Sequence, residues 1–437
     1  MRTLFEGTSC GAALGLALAF CVPLPGLADA IDDAAAAVEP QVIEWRRDIH
    51  ANPELGNNEI RTAALVADHL RALGYAVQEN VGVTGVVGVL KGGKPGPVVA
   101  LRADMDALPI TETADVPFAS KVTTTWAGEE VGVMHACGHD GHTAILMGVA
   151  DALASIQDQM QGTVKVIFQP AEEGAPAGET GGAQRMLAEG AFDDPKPDVI
   201  FGLHLMASMN TGQVGYRPGP ILASSDSFDV VITGTQTHGA MPWNGVDPIV
   251  LGSQIVLGFQ TIQSRQVNVT NQPSVLTVGT FNAGNRSNII PGEARMTGTL
   301  RTYDEEMRSL IKDRMQETAA LIARSGGGSA EVSFNEDAYP ATINDPALTA
   351  RMVPVLEAIP GAAAELVPKA TPSEDFSFFA QEVPGLFVFI GATPPDTDPA
   401  DAAPNHSPDF LIDEDSLAIG VRTLLHLTLG YMEMESA

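Results

Sequence analysis

Apolar positions recur at helical spacing over residues 34–73 and Gly74 closes the pattern, which predicts one long helix. Two apolar runs, residues 83–90 and 98–101, read as strands on either side of the turn-rich Lys91-Gly92-Gly93-Lys94-Pro95-Gly96-Pro97. The helical period returns over residues 143–156. Residues 162–168 and 199–203 are short apolar runs of the kind that buried strands show. Strands alternating with helices predict a largely parallel sheet covered on both faces.

The pattern changes near Arg217. Residues 228–233 alternate as a half-buried strand, followed by a helix over 248–263 and strands over 274–281 and 294–302. A helix over 305–323, the flexible Gly326-Gly327-Gly328 and a strand over 330–334 complete a β-α-β-β-α-β order, that of a small two-layer sandwich. Beyond Pro340 a helix (346–359), a strand (385–390) and a helix (416–432) resume. The expected architecture is α/β. Residues 31–216 and 340–437 build a mostly parallel sheet flanked by helices, and residues 217–339 form an inserted two-layer α+β domain. No repeat, phosphate-loop motif or nucleic-acid motif occurs along it.

The first thirty residues read as an export signal. Arg2 supplies a short positive region, and residues 11–22 are a small apolar run too short to span a bilayer. Pro23 and Pro25 break that run, and Ala28-Asp29-Ala30 fits the small-x-small cleavage pattern, which places the mature start at Ile31. Bulky Phe20 disfavours a lipoprotein site at Cys21; an uncleaved anchor is the alternative. The expectation is a secreted or periplasmic protein with no membrane attachment after cleavage. The net charge of −30, from 24 basic and 54 acidic residues, excludes nucleic acid and anionic membranes as natural partners.

Cys10 and Cys21 fall in that signal, so the exported chain keeps Cys137 alone, in the run Met134-His135-Ala136-Cys137-Gly138-His139-Asp140-Gly141-His142-Thr143. Among such neighbours a thiol is a candidate metal ligand or nucleophile, with an inert buried cysteine as the alternative. Four further segments accompany it: Arg102-Ala103-Asp104-Met105-Asp106, Gln169-Pro170-Ala171-Glu172-Glu173-Gly174, Gly202-Leu203-His204 and Asn405-His406-Ser407-Pro408. Three of them directly follow predicted strands, and sites in open parallel sheets form beyond the carboxyl ends of strands. One crevice can therefore collect Asp106, Cys137, His139, Glu172, Glu173, His204 and His406. A thiolate, imidazoles and carboxylates suit zinc, manganese, cobalt or nickel better than magnesium or calcium. Adjacent Glu172 and Glu173 diverge on extended backbone, so that one can bind metal while the other faces substrate as a base. A solvated turn is the alternative, but the pair follows an apolar strand.

These motifs resemble the amidohydrolase branch of the dinuclear-metal aminoacylase and carboxypeptidase superfamily, which includes hippurate hydrolases, N-acyl-amino-acid deacylases and plant auxin-conjugate hydrolases. The match runs from about Glu44 to the C-terminus, with the motifs in the right order. The resemblance implies two divalent metal ions per subunit, zinc or manganese first and cobalt or nickel as alternatives. It implies Cys137, His139, Glu173, His204 and His406 as ligands, Glu172 as general base, and Asp106 as support for the metal site, with Asp104 a weaker candidate for that role. It implies that the inserted domain makes a homodimer. There Gly234-Thr235-Gln236-Thr237-His238-Gly239-Ala240 marks His238, whose family counterpart reaches the partner subunit's site and polarises the scissile carbonyl.

Gln236 and Thr237 stand where the family usually has two glycines, and Trp243 follows Pro242 where relatives often carry a histidine; these departures leave substrate identity open. Asn288 and Arg301 are candidates for binding a substrate carboxylate, Arg301 by a bidentate pair. Ser373-Glu374-Asp375-Phe376 also matches, as a pocket wall. The function so implied is metal-dependent hydrolysis of the amide of an N-acyl or N-aroyl amino acid. The rivals are a dipeptidase or carboxypeptidase on the same scaffold, a non-catalytic exported binding protein for acyl amino acids, and a cysteine hydrolase using Cys137.

Overall fold

The computed structural model describes residues 25–335 and 337–436, with side chains from Ala30 onward. Arg2, Cys10, Cys21 and the apolar run expected to form the signal lie outside the described residues. Among those described, no helix is long and apolar enough to cross a membrane.

Four strands form the parallel centre of an eight-stranded sheet, in the order Gln161–Gln169, Lys94–Asp104, Val199–Asn210, Gly385–Thr393. Every residue of Gly385–Thr393 is buried, as expected of a strand covered on both faces. Gly85–Lys91 and Ala76–Val81 extend the sheet antiparallel at one side; Gln213–Tyr216 and Ala363–Leu366 extend it at the other. Helices Pro25–Ala51, His139–Ser155, Pro346–Glu357 and Asp415–Ser436 share a core with one face, where Leu101, Val166 and Val388 point. Ala100, Ile167 and Phe387 point to the other face, against Met186, Phe376 and Phe379 of Gly182–Ala188 and Phe376–Glu382. The α/β expectation with a mostly parallel central sheet therefore holds.

A second, antiparallel sheet orders Ser274–Ala283, Glu293–Thr302, Asp226–Thr233 and Ser329–Phe334. Helices Pro248–Arg265 and Glu305–Ser325 pack on it through Ile255, Phe259, Ile311 and Met315. Asp247 and Asp304 accept backbone N–H bonds at their starts, which fixes where each helix begins.

Two expectations need correction. The single helix over residues 34–73 is two helices, Pro25–Ala51 and Ile60–Ala72. Pro53 disfavours helical backbone at Asn52, and Asn57 adopts a left-handed φ of 61°. Glu54 folds back to accept from Arg61 N and Thr62 N, opening the second helix. The strand expected over 199–203 continues to Asn210, so His204 lies within it rather than after it.

Asp226 joins the second sheet to its helix. Its buried carboxylate accepts from Arg308 Nε and Nη2 at 2.7 and 2.9 Å and pairs with Lys312 Nζ at 2.6 Å. Burial alone would raise its pKa, but the bonds from Arg308 and Lys312 outweigh that and hold it below the usual carboxylate range. A lowered folded-state value means stability that is present above the unfolded pKa, about 4, and lost as pH falls through the folded value. Asp226→Asn should cost about 3 kcal/mol near pH 7, because it leaves Arg308 with Glu305 as its remaining partner and removes the carboxylate facing Lys312. In thermal unfolding, its gap to wild type should narrow below about pH 4; a pH-independent gap would contradict this.

Candidate metal centre and active site

The parallel register brings the ends of two strands level, with Asp104 opposite Gln169. The turns that follow, carrying Asp106 and Glu172-Glu173, therefore emerge side by side, and Asp106 Oδ2 accepts from Glu173 N at 2.9 Å. His204 comes from the neighbouring strand. Cys137 precedes, and His139 opens, the almost wholly buried helix His139–Ser155. His406 sits in the loop after Gly385–Thr393, at a left-handed φ of 70°, its N–H bonded to Ala136 O at 2.7 Å. Asn405 ties this loop down by donating to Cys137 O and Leu205 O while accepting from Ala207 N.

Cys137 Sγ lies 3.3 Å from His204 Nε2 and 3.2 Å from His406 Nε2, and His406 Nε2 is 2.9 Å from Glu173 Oε1. Cys137, His139 and His204 form one group whose ligand atoms all lie within 4.8 Å of one another; Cys137, Glu173 and His406 form another. The thiol is common to both. The imidazoles are oriented for ligation. His204 Nδ1 can only donate to the carbonyl of Leu205, at 2.8 Å, which leaves Nε2 bare and facing Cys137. His139 turns Nδ1 to Asp106 Oδ1 at 3.2 Å, and its buried Nε2 has no hydrogen-bond partner among the described residues. His142 Nε2 accepts from Leu205 N at 2.8 Å, so its proton is on Nδ1, donated to Asp104 Oδ1 at 2.6 Å; this braces the strand beside His204.

The electrostatics ask for a cation. Burial first, then Glu173, Glu172 and Asp104, push the Cys137 thiol well above its ordinary pKa. Burial alone would keep His139 neutral, but Asp104, Asp106 and Glu173 overcome it and raise its pKa to about 10. A divalent ion would replace these protons and compensate the carboxylates. The donor set, the bare Nε2 of His204 and the orphaned Nε2 of His139 fit such an ion.

Beneath the site, fully buried Arg102 donates to Asp104 Oδ2 at 2.6 Å and Asp375 Oδ1 at 2.9 Å, and Glu374 Oε1 lies 2.9 Å away. Burial, then Glu374 and Glu173, raise Glu172 well above the usual carboxylate range, only partly offset by Arg102. Glu173 goes the other way: burial is outweighed by His406 and His139, and its pKa falls. The two adjacent glutamates are thus pushed in opposite directions, a separation that suits one of them to proton transfer and the other to staying ionised.

A cavity of about 440 Å³ opens over the site, lined by Cys137, Glu172, Glu173, His204, Glu374 and His406 together with Arg301, Tyr339, Met206, Leu222 and Phe389. The structure thus brings together the expected metal ligands, Glu172, Asp104, Asp106 and Arg301. His238 and Asn288 are exposed, in and beside the short pairing of Thr237–His238 with Ile289–Ile290, and neither lines the cavity of its own chain. The sequence reading missed Tyr339, whose hydroxyl donates to Glu172 O at 2.7 Å, and the apolar wall of Met206, Leu222 and Phe389. The alternation of Met206 with His204 along one strand face was the available signal for Met206.

The profile of Peptidase family M20/M25/M40 matches residues 100–429, most of the chain and all of the candidate ligands. The chain belongs to this family. The M20 assignment bears out the resemblance drawn from the motifs. Thermostable carboxypeptidase 2 of Saccharolobus solfataricus is 42% identical over 405 residues, 92% of this chain and 98% of its own. N-acetyl-L-cysteine deacetylase of Bacillus subtilis is 38% identical over 384 residues, covering 87% and 86% of the two chains. The crystal structure of Bacillus subtilis YxeP, titled a dinuclear metal binding peptidase from the M20 family, superposes with a TM-score of 0.76 at 32% identity, over 91% of this chain and 99% of that one. This M20 protein is accordingly a hydrolase with amidohydrolase and deacetylase relatives.

Proposed function

We propose that this M20 protein is a metal-dependent amidohydrolase that cleaves the amide bond of N-acyl or N-aroyl amino acids. The observation that carries this reading is the cavity itself. It places a buried carboxyl, Glu172, beside the two ligand groups, with the cation Arg301 and the apolar Met206, Leu222 and Phe389 on its walls. Arg301 suits a substrate carboxylate and the apolar wall an acyl group, with Glu172 lining the same cavity.

Cys137, His139, Glu173, His204 and His406 would hold two divalent ions, zinc or manganese by donor type with cobalt or nickel as alternatives. Such ions, when bound, polarise an amide carbonyl and acidify water. Glu172 takes the proton of the attacking water and returns it to the leaving amine, a role suited to a carboxyl that burial and Glu374 make more basic. Tyr339, on the wall of the same cavity, holds the Glu172 backbone in place through its hydroxyl.

A peptidase on the same site is the second reading, prompted by the name of the carboxypeptidase relative. A panel of N-acyl amino acids and the matching unblocked dipeptides separates the two. The amidohydrolase reading expects the blocked substrates to have kcat/KM at least roughly tenfold higher, about 1.4 kcal/mol in the transition state; the reverse order would favour the peptidase.

We further propose that the protein works as a homodimer in which His238 acts in the partner's cavity. Exposed Val275 and Phe281 on the edge strand Ser274–Ala283, and exposed Ile249, Val250 and Leu257 on the adjoining helix, support a partner there. His238 Nδ1 accepts from Ala240 N at 3.0 Å, so the neutral ring carries its proton on Nε2, free to donate to a carbonyl. Mixing subunits of Glu172→Ala and His238→Ala should restore roughly a quarter of wild-type activity, because half the dimers are mixed and one of their two sites is complete. No recovery, with exchange verified by mass, would rule out action in trans. Export is proposed as well, from the N-terminal pattern: mass spectrometry of the native protein should find its N-terminus at or near Ile31, and a retained Met1 would refute cleavage.

A further inference from the structure

We propose that Glu59 is a positioning residue for the Glu172-Glu173 turn: a carboxyl oxygen of its side chain accepts from the N–H of Ala171 and holds the backbone from which both glutamates are aimed. This rests on the proposed roles of that pair.

Ala171 has a φ of 52°, a left-handed conformation that side chains with a Cβ rarely adopt. Something must hold it there. Glu59 is completely buried at the start of the second helix, and its Oε1 accepts from Ala171 N at 2.9 Å. Its other oxygen is fixed by the hydroxyl of Thr84. A carboxyl in so dry a place is costly to the fold, and burial with Asp106 nearby lifts its pKa to about 8. An apolar residue would pack there more cheaply but would leave the Ala171 N–H without an acceptor.

The segment around Glu59 is built against the turn. A Cβ on Gly56 would stand 2.6 Å from Gly174 O and 3.0 Å from Ala171 Cβ, so only glycine allows this approach. Ala107 N donates to Glu54 O at 2.8 Å, and Leu55 bridges to Ala107, anchoring the segment beside Asp106. The turn is thus held at both ends, by Glu59 at Ala171 and by Asp106 at Glu173. Without Glu59, Asp106 still restrains Glu173 and Tyr339 still holds the Glu172 carbonyl, but the Ala171 N–H loses its acceptor, so Ala171 can relax towards right-handed backbone and re-aim the Glu172 side chain.

The test compares Glu59→Met, which has no oxygen acceptor, with Glu59→Gln, which keeps one. For Glu59→Met we expect kcat on an N-acyl amino acid to fall roughly 10- to 100-fold, the scale of a misplaced catalytic group. KM should stay within about threefold and bound metal should be unchanged, while Glu59→Gln should recover most of the loss. Independently of activity, deuterium exchange of the peptide spanning residues 169–175 should be faster in Glu59→Met than in wild type or Glu59→Gln. Should Glu59→Met fail to fold, Thr84→Val frees the other carboxyl oxygen and should show the same change in exchange with a smaller fall in kcat. A folded Glu59→Met, or failing that Thr84→Val, with wild-type exchange and kcat within twofold overturns the proposal. Equal losses in Glu59→Met and Glu59→Gln overturn it too. If the wild-type protein itself cleaves no N-acyl amino acid, the amidohydrolase reading fails instead, and the exchange comparison still decides the role of Glu59.

Discussion

Glu172→Gln is expected to fold and bind metal as wild type does, while turnover falls by roughly two to four orders of magnitude, the scale of a lost general acid-base group. The amide keeps the size of the carboxyl and can still contact the cavity, but it cannot take up a proton. Its neighbour makes the control. Glu173 faces His406 and the thiol of Cys137, so Glu173→Gln should lower metal content first and activity as a consequence. Metal analysis of both variants alongside kcat reads the difference. Metal loss in Glu172→Gln with retention in Glu173→Gln would reverse the assignment of the pair.

Cys137→Ser should have a comparably large effect by another route. Cys137 belongs both to the group with His139 and His204 and to the group with Glu173 and His406, so its loss weakens the two together. A serine hydroxyl is not ionised near pH 7 and is a harder donor than a thiolate, which weakens the hold on zinc-like ions. Activity should fall at least roughly 100-fold at limiting metal, the upper end of the loss expected even for removal of an outer support of a metal ligand. Excess metal should restore part of it. If Cys137 were instead a nucleophile, added metal would recover nothing, and wild-type activity would survive a chelator.

Much of this site was legible in the sequence because its chemistry is concentrated in short segments beside apolar strands. Cys137 and His139 stand two apart, Glu172 and Glu173 are adjacent, and the residues before each pair announce a strand or an extended approach. The parallel sheet then lines up their ends, as with Asp104 and Gln169. What escaped was whatever depends on long-range contact. Helical periodicity across residues 34–73 masked the local break signals Pro53 and Gly56, while the close approach of Gly56 to Ala171 and Gly174 is a long-range contact that the sequence does not announce. Glu59 therefore looked like one more polar residue on a helix. Tyr339 was unreadable for a similar reason: its bond to Glu172 O spans 167 residues of chain. His204 was found but misplaced, since the strand continues beyond it to Asn210. His238 was marked by its motif alone; it is exposed and does not line the cavity of its own chain.

The most direct measurement is release of free amino acid from an N-acyl amino acid by exhaustively chelated protein, before and after addition of zinc, manganese or cobalt. The account predicts no turnover without metal and its return on addition, with Glu172→Gln remaining nearly inactive under both conditions. Full turnover by the metal-free wild-type protein would contradict it.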